Sequence, residues 1–449
     1  MAHVYTNDLP VVADIIDHVS PPPRYEEGDI EELRESIQLI IVDFIGNNIR
    51  ECMHEDIEQR IFDYVRGILL VLHNNVFEIF KDINIDDYVN EGIFVYLNLI
   101  GVPRSCPTDT IVDTQPTESI EEQIETLRNM EQPEQRTSEW FAFRRNRLTA
   151  STAWKALDSS SNVNQLIYSK CAPLDTCKYS RVNVESATHH GNKYETLSKL
   201  LYEAKYDTAV EEFGCIADAH HSFLGASPDG VNVKKDNMRY GRLLEIKNPV
   251  SREITGIPKK EYWVQMQVQM HVLGLHLCDF LETSFKEYSD EAAFKNDGTF
   301  SSSDCGNRKG IMACFHDGSS PVYKEAPMNC TSFEGPEGFD AWLSSTIEAN
   351  DNLTWIRNSY WKLEKMSCVL VRYNPEWMCY ALKEFENVWN AVLYDREHGY
   401  EHRKPKKREK RKKCTPSQPT SIQQLGMTQE SFKNAVIKIR TESFDESSI

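Results

Sequence analysis

Ser227-Pro228-Asp229-Gly230 and Arg242-Leu243-Leu244-Glu245-Ile246-Lys247-Asn248-Pro249 are the two stretches on which the reading of this 449-residue chain turns. The run from Phe223 to Val233 is short, apolar and interrupted by the Ser-Pro-Asp-Gly turn, and the second run ends at Asn248-Pro249. Both are expected to be strands, and adjacent ones. Side chains alternate along a strand, so Glu245 and Lys247 share a face with Leu243, while Leu244 and Ile246 point into the opposite layer.

Two carboxylates and an amine in this pattern suit one kind of chemistry. Hard ions such as Mg²⁺ or Mn²⁺ are held by one or two carboxylates, with the remaining positions left to water and phosphate oxygens. Asp229 and Glu245 fit that role. Lys247, two residues beyond Glu245, could orient and help deprotonate the attacking water, or stabilise charge developing on a phosphate undergoing hydrolysis. Taken alone, Asp-Gly is also a common turn and Glu-x-Lys a common solvated strand face.

Further blocks surround these stretches in a fixed order. They are Trp140-Phe141-Ala142-Phe143-Arg144 leading into Arg147-Leu148-Thr149-Ala150-Ser151, then His190-Gly191-Asn192-Lys193-Tyr194-Glu195, and, after the central pair, Tyr262-Trp263-Val264-Gln265-Met266-Gln267. From Trp140 to about Tyr288 the chain resembles the lambda-exonuclease or YqaJ-type recombinase branch of the PD-(D/E)XK nuclease superfamily. The resemblance implies an α/β restriction-endonuclease-like core, a mixed sheet flanked by helices. It also implies that Glu195, Asp229, Glu245 and the Ile246 backbone carbonyl hold two Mg²⁺ or Mn²⁺ ions, and that Asp229, Glu245, Lys247 and Gln265 form the catalytic set. Arg144 and Ser151, with Arg147 beside them, would hold a terminal 5′-phosphate. The local chemistry is compatible: Thr149 or Ser151 can cap a helix starting near Ala150, whose N-terminus would attract an anion, and Arg144 adds a planar donor fork.

Glu195 is expected in the first turn of a helix whose apolar stripe is Tyr194, Leu197, Leu200, Leu201 and Ala204, facing either solvent or the site. In the segment from Val264 to Val272, apolar residues alternate with Gln265, Gln267, Gln269 and His271, a strand pattern. The resemblance implies a helix there, and the helix is the expectation adopted.

Charge is unevenly distributed. Residues 1–135 hold 28 acidic and 8 basic residues, or 8 − 28 = −20, and the remaining 41 acidic and 42 basic residues nearly cancel. A near-neutral region with an acidic appendage does not argue against binding DNA. The 12 cysteines, scattered from Cys52 to Cys414 without a C-x-x-C pair, point to a reducing, intracellular setting and to neither a disulfide framework nor a zinc finger. His189-His190 and His220-His221 lack the Cys/His spacing of a zinc site and read as loop or site-rim residues. No apolar run is long enough to span a bilayer, so no membrane is expected.

The expected organisation is an acidic, mainly helical module and linker over residues 1–135, the nuclease region over 136–400, and a basic tail over 401–449. Residues 1–28 contain Pro21-Pro22-Pro23. From Ile30 to Ile100 apolar residues recur at helical spacing over roughly three helices. Residues 101–135 read as a linker turning helical from Ser119 to Met130. Cys278 to Glu282, Gly310 to His316 and Val322 to Glu325 could add strands. Asn374, Pro375 and Gly399 bracket a long helix. Trp355, Trp361, Trp377 and Trp389 read as core or as base-stacking residues. Residues 403–413 carry nine Lys/Arg, a nuclear-import signal or a non-specific nucleic-acid tether, and a short helix could follow at Gln429 to Arg440.

Together these features imply a metal-dependent deoxyribonuclease, 5′→3′ exonucleolytic on duplex DNA by resemblance. Its single-stranded product would serve an annealing protein, and ring-shaped homotrimers occur in the family. The appendages look more like relatives in large DNA viruses of eukaryotes, acting in the host nucleus or at a viral replication site. An endonuclease or RNase on the same fold, or a catalytically silent DNA-binding scaffold, are the alternatives. If the basic run tethers DNA, deleting residues 403–413 should weaken duplex binding and flatten its salt dependence, by about 0.9 in the logarithmic slope for each phosphate no longer neutralised. Dissociation constants across a salt series check this, and an unchanged slope would leave nuclear import as the account of the run.

Overall fold

The computed structural model describes residues 27–72, 80, 83–111, 115–135, 137–173 and 186–404. The polyproline segment, most of the basic run and the expected helix at 429–440 lie outside these residues. The chain divides into two units, 1–403 and 404–449, and among the described residues every helix and strand belongs to the first.

Three helices, α1 (Glu27–Asn47), α2 (Ile57–Leu72) and α3 (Ile85–Val95), open the described chain. They close on an apolar core of their own, in which Ile37, Ile41, Ile61, Val65, Leu69 and Val89 are fully buried. This matches the helical spacing in the sequence. The stretch read as a linker is different. Strand β1 (Cys106–Pro107) pairs with the sheet, and helix α4 (Thr117–Asn129) buries Ile120, Ile124 and Leu127 in the main core. Amid acidic residues, this three-residue stripe was too sparse to mark the helix as a core element.

Helices α5 (Ser138–Arg145), α6 (Ala150–Ala153), α7 (Ser160–Cys171) and α8 (Ala187–Tyr206) lead into the central strands. Strands β2 (Leu148–Thr149), β4 (Ile216–Ala217) and β5 (Leu224–Ala226) form a small sheet in the order β2-β5-β4. The large mixed sheet comprises β3 (Val210–Glu211), β6 (Gly230–Asn232), β7 (Leu243–Lys247), β8 (Leu277–Glu287), β9 (Lys309–His316), β10 (Pro321–Glu325) and β11 (Thr354–Arg372), ordered β10-β9-β11-β8-β7-β6-β3, with β1 paired to β11. Within it β7 and β8 run parallel, and every other pair is antiparallel. The parallel pair is bridged by helix α9 (Lys260–Leu273), the segment whose alternation suggested a strand. Nine of the 14 residues of α9 are buried and none is exposed, so no amphipathic period marks it. This is the α/β core with flanking helices that the sequence implied.

Strands β8, β9 and β10 form where the apolar runs predicted them. Helix α10 (Pro375–His398) starts where Asn374 accepts the Trp377 N–H at 2.9 Å and stops before Gly399, whose φ of +105° suits glycine. The 19-residue β11 went unread, because register shifts near Trp355 and Leu363 break its alternation. Trp361, Trp377 and Trp389 are core residues, and Trp355 is exposed. Arg403, the first residue of the basic run, donates to Asp395 and Asn164 at 2.6 Å and so belongs to the folded unit.

Asp279 on β8 is completely buried and gathers Arg239, Arg242, Tyr202 and Thr108 around its two oxygens. The cluster ties the segment after β1 to the sheet. Asp279→Ala should cost about 3–5 kcal/mol, since it leaves buried Arg242 without its counter-charge and buried Arg239 with only the exposed Asp109. Chemical denaturation of the full chain measures it, and a loss below about 1 kcal/mol would show that the cluster is not a structural tie.

Candidate active site

Gly230 starts β6, and a Cβ there would lie 2.2 Å from Val210 of β3, so the turn carrying Asp229 can only sit this close to its neighbour with glycine. The Ile246 N–H donates to Asp229 Oδ2 at 2.6 Å, which fixes the carboxylate against β7. On β7, Leu243 to Ile246 are buried and Lys247 is partly open.

An open cleft of about 600 Å³ lies at this end of β7, and Glu195, Asp229, Ile246, Lys247 and Tyr262 are among its walls. Glu195 is not in the first turn of its helix: α8 begins two turns earlier, capped by Ser186, and Glu195 is its ninth residue, on the exposed side. The N-terminal dipole therefore does not account for an acid there. Glu245 itself is fully buried beneath the cleft. Its Oε1 pairs with Lys247 Nζ and accepts from Gln265 Nε2 at 2.7 Å, and its Oε2 accepts from Gln269 Nε2 at 2.7 Å. Gln269 also donates to Ser227 O at 3.1 Å, so one side chain ties the Ser-Pro-Asp-Gly turn to β7. Sequence reasoning missed it, although residues 265 and 269 fall on one helix face once the segment is read as helical.

The electrostatics are those of a site short of positive charge. Burial, then the neighbouring Glu245 and Glu195, push the Asp229 carboxyl well above the usual carboxylate range, against the pull of Lys247. Burial opposes the Lys247 ammonium, but Glu245 and Asp229 more than offset it and hold its pKa above the ordinary lysine value. Three carboxylates around one ammonium fit a divalent cation, since hard oxygen donors and local negative charge are what Mg²⁺ and Mn²⁺ require.

The second block is a separate place, outside the lining of this cleft. Arg144 stacks over Trp140, its Cζ 4.6 Å from the ring centroid, and its Nη2 donates to Ser151 Oγ at 3.3 Å. Arg147 turns elsewhere, stacking on Phe143 with its Cζ 3.6 Å from the ring centroid and donating to the Phe143 carbonyl at 3.2 Å. Thr149 sits at the N-cap of α6, but its hydroxyl bonds to that of Thr152 and caps no backbone N–H. Buried Lys170 donates to the Arg144 carbonyl at 2.8 Å, and burial followed by Arg144 pushes its pKa down to about 7. Nothing in the local sequence flagged Lys170, which α7 brings in from outside the block.

Gln269→Ala should cost about 1–3 kcal/mol by leaving a buried carboxylate oxygen without a donor. Gln265→Ala should cost less, because its oxygen keeps Lys247. Urea denaturation of the two variants decides it, and equal losses would contradict the division of roles.

Residues 139–276 match the family model of the YqaJ-like viral recombinase domain. Over 309 residues the chain is 29% identical to an uncharacterised protein of Acanthamoeba polyphaga mimivirus, a match covering 61% of this chain and 55% of that protein. The chain thus spans about half the length of the curated relative it matches. Among solved structures it is similar to an alkaline exonuclease from Laribacter hongkongensis in complex with dAMP, at 19% identity and a TM-score of 0.34, covering 58% of this chain and 95% of that one. It is also similar to a phage-related exonuclease from Haemophilus somnus, at 11% identity and a TM-score of 0.28, covering 56% and 94%. The stretch matched by the family model contains Arg144, Ser151, Glu195, Asp229, Glu245, Lys247 and Gln265, so the part of this chain that is similar to the YqaJ-like viral recombinase domain is the part that builds the candidate site.

Proposed function

We propose that this chain is a divalent-metal-dependent deoxyribonuclease that degrades one strand of linear duplex DNA from a 5′-phosphorylated end, in recombination or viral DNA processing. The observation that carries the proposal is the convergence of Glu195, Asp229 and Lys247 on one open cleft, above a Glu245 whose two oxygens are fixed by Lys247, Gln265 and Gln269. The similar alkaline and phage-related exonucleases fit this reading by their names.

Glu195, Asp229, Glu245 and the Ile246 carbonyl are the groups that would hold Mg²⁺ or Mn²⁺, two ions in this reading. When bound, the ions supply Lewis acidity and a water nucleophile at neutral pH. Gln265 and Gln269 keep the Glu245 carboxylate in one orientation. Lys247, held as an ammonium, is suited to neutralise charge on the phosphate being attacked rather than to take a proton from water. Arg252 and Lys259, on the cleft wall with Tyr262, place cationic groups where a nucleic-acid backbone would pass. Arg144 and Ser151 would hold the terminal phosphate. A trimeric ring and an annealing partner complete the proposal.

Asp229→Ala, Glu245→Ala and Lys247→Ala should each lower cleavage by at least about two to three orders of magnitude in folded protein, and EDTA should abolish it in the wild type. Near-wild-type turnover by folded Glu245→Ala would remove the assigned site. End-labelled linear duplexes with 5′-phosphate or 5′-hydroxyl, closed circles and RNA separate the exonuclease from an endonuclease or RNase. On the linear substrates, Arg144→Ala should abolish the preference for phosphorylated ends. Equal loss on both ends would instead assign Arg144 to backbone binding or folding.

A further inference from the structure

A second group of metal-ligating side chains lies outside the cleft. Asp218, just after β4, His221 in the following turn, and His271 in the last turn of α9 each turn one donor atom to a common point, all three within 4.8 Å of one another. His221 Nδ1 lies 3.1 Å from Asp218 Oδ1, and His271 Nε2 lies 3.6 Å from Asp218 Oδ2. Ligands at about 2.0–2.1 Å from a tetrahedral ion stand about 3.3 Å apart, and each imidazole nitrogen lies near that distance from one of the two oxygens of the Asp218 carboxylate.

Hydrogen bonding accounts for His221, whose Nδ1 is within hydrogen-bond distance of Asp218 Oδ1 at 3.1 Å, but not for His271. The buried His271 Nε2 has no hydrogen-bond partner, and 3.6 Å to the carboxylate is too long to be one. The other ring nitrogen, Nδ1, is 2.9 Å from the Tyr373 hydroxyl. With that nitrogen donating to the hydroxyl, the Nε2 lone pair faces Asp218, which is how an outer partner orients a metal-bound histidine. The carboxylate is held too: Asp218 Oδ1 accepts the His220 N–H at 2.9 Å and the His221 N–H at 2.5 Å.

We propose that Asp218, His221 and His271 form a zinc site, separate from the catalytic cleft, that fastens the turn after β4 to the C-terminal end of α9. Two imidazoles and one carboxylate favour a borderline transition ion over Mg²⁺, and zinc takes this donor set in tetrahedral geometry with solvent as fourth ligand. His221 is partly exposed, so water can reach that position. Because α9 also carries Gln265 and Gln269, the ion would brace the helix that orients Glu245.

The test uses the full chain carrying Asp229→Ala and Glu245→Ala, so that the cleft does not contribute. After EDTA treatment and dialysis, zinc is titrated against a chromophoric chelator, and Co²⁺ is added separately for its visible spectrum. The expected result is one zinc per chain and a tetrahedral Co²⁺ spectrum. His221→Ala and His271→Ala should each weaken zinc binding at least about 100-fold, and Tyr373→Phe about tenfold. His220→Ala, whose side chain is exposed, should leave binding unchanged. If His271→Ala fails to fold, the partly exposed His221 gives the deciding variant. Absence of stoichiometric zinc in the parent, or full retention by folded His221→Ala, would overturn the proposal.

Discussion

The parallel pairing of β7 with β8 is the constraint on which the rest of the site depends. Parallel neighbours cannot be joined by a tight turn, and the chain must cross over the sheet through a dozen or more residues, usually a helix. Here α9 is that crossover, and it lies buried between the two sheets' side chains. Its position delivers Gln265 and Gln269 to the two oxygens of Glu245, which the register sets opposite Phe280 on β8. A buried glutamate between apolar neighbours is tolerable only because three donors meet it.

Charge is handled in two ways in neighbouring strands. Asp279, opposite Leu244 in the register, is paired with two buried guanidiniums and makes a structural tie. Asp229 and Glu245 have a single ammonium between them, and Asp229 lines an open cleft above the buried Glu245. The first arrangement is electrostatically complete and the second is not, which is why only the second has the character of a cation site. The same contrast separates Arg144, stacked beside Ser151, from Arg147, which is folded onto Phe143 and committed to packing.

Much of the architecture was written locally. The three N-terminal helices, strands β8 to β10 and the caps of α10 follow from period, from turn residues and from the Asn-Pro and Gly signals at either end of a helix. What local pattern alone did not show has physical causes, although the helix expected over Val264 to Val272 is the one that forms. Helix α9 has no exposed residue and loses its amphipathic period. Strand β11 is broken by bulges, and α4 contributes three apolar residues to a core that the flanking composition hides.

The sequence by itself determined the chemical types and their order, because carboxylate, carboxylate and amine at Asp229, Glu245 and Lys247 lie within one turn and one strand. It also determined that the net negative charge is concentrated in the first third of the chain. Only the tertiary structure decided that Glu195, from the middle of α8, reaches the same cleft, and that Gln269 shares Glu245 with Gln265. Only it brought His271 to Asp218 and His221, a grouping that no ligand spacing announces. Backbone period and turn chemistry are local and survive in the sequence, whereas the meeting of side chains from α8, α9 and the β4 turn is set by how the crossover packs on the sheet.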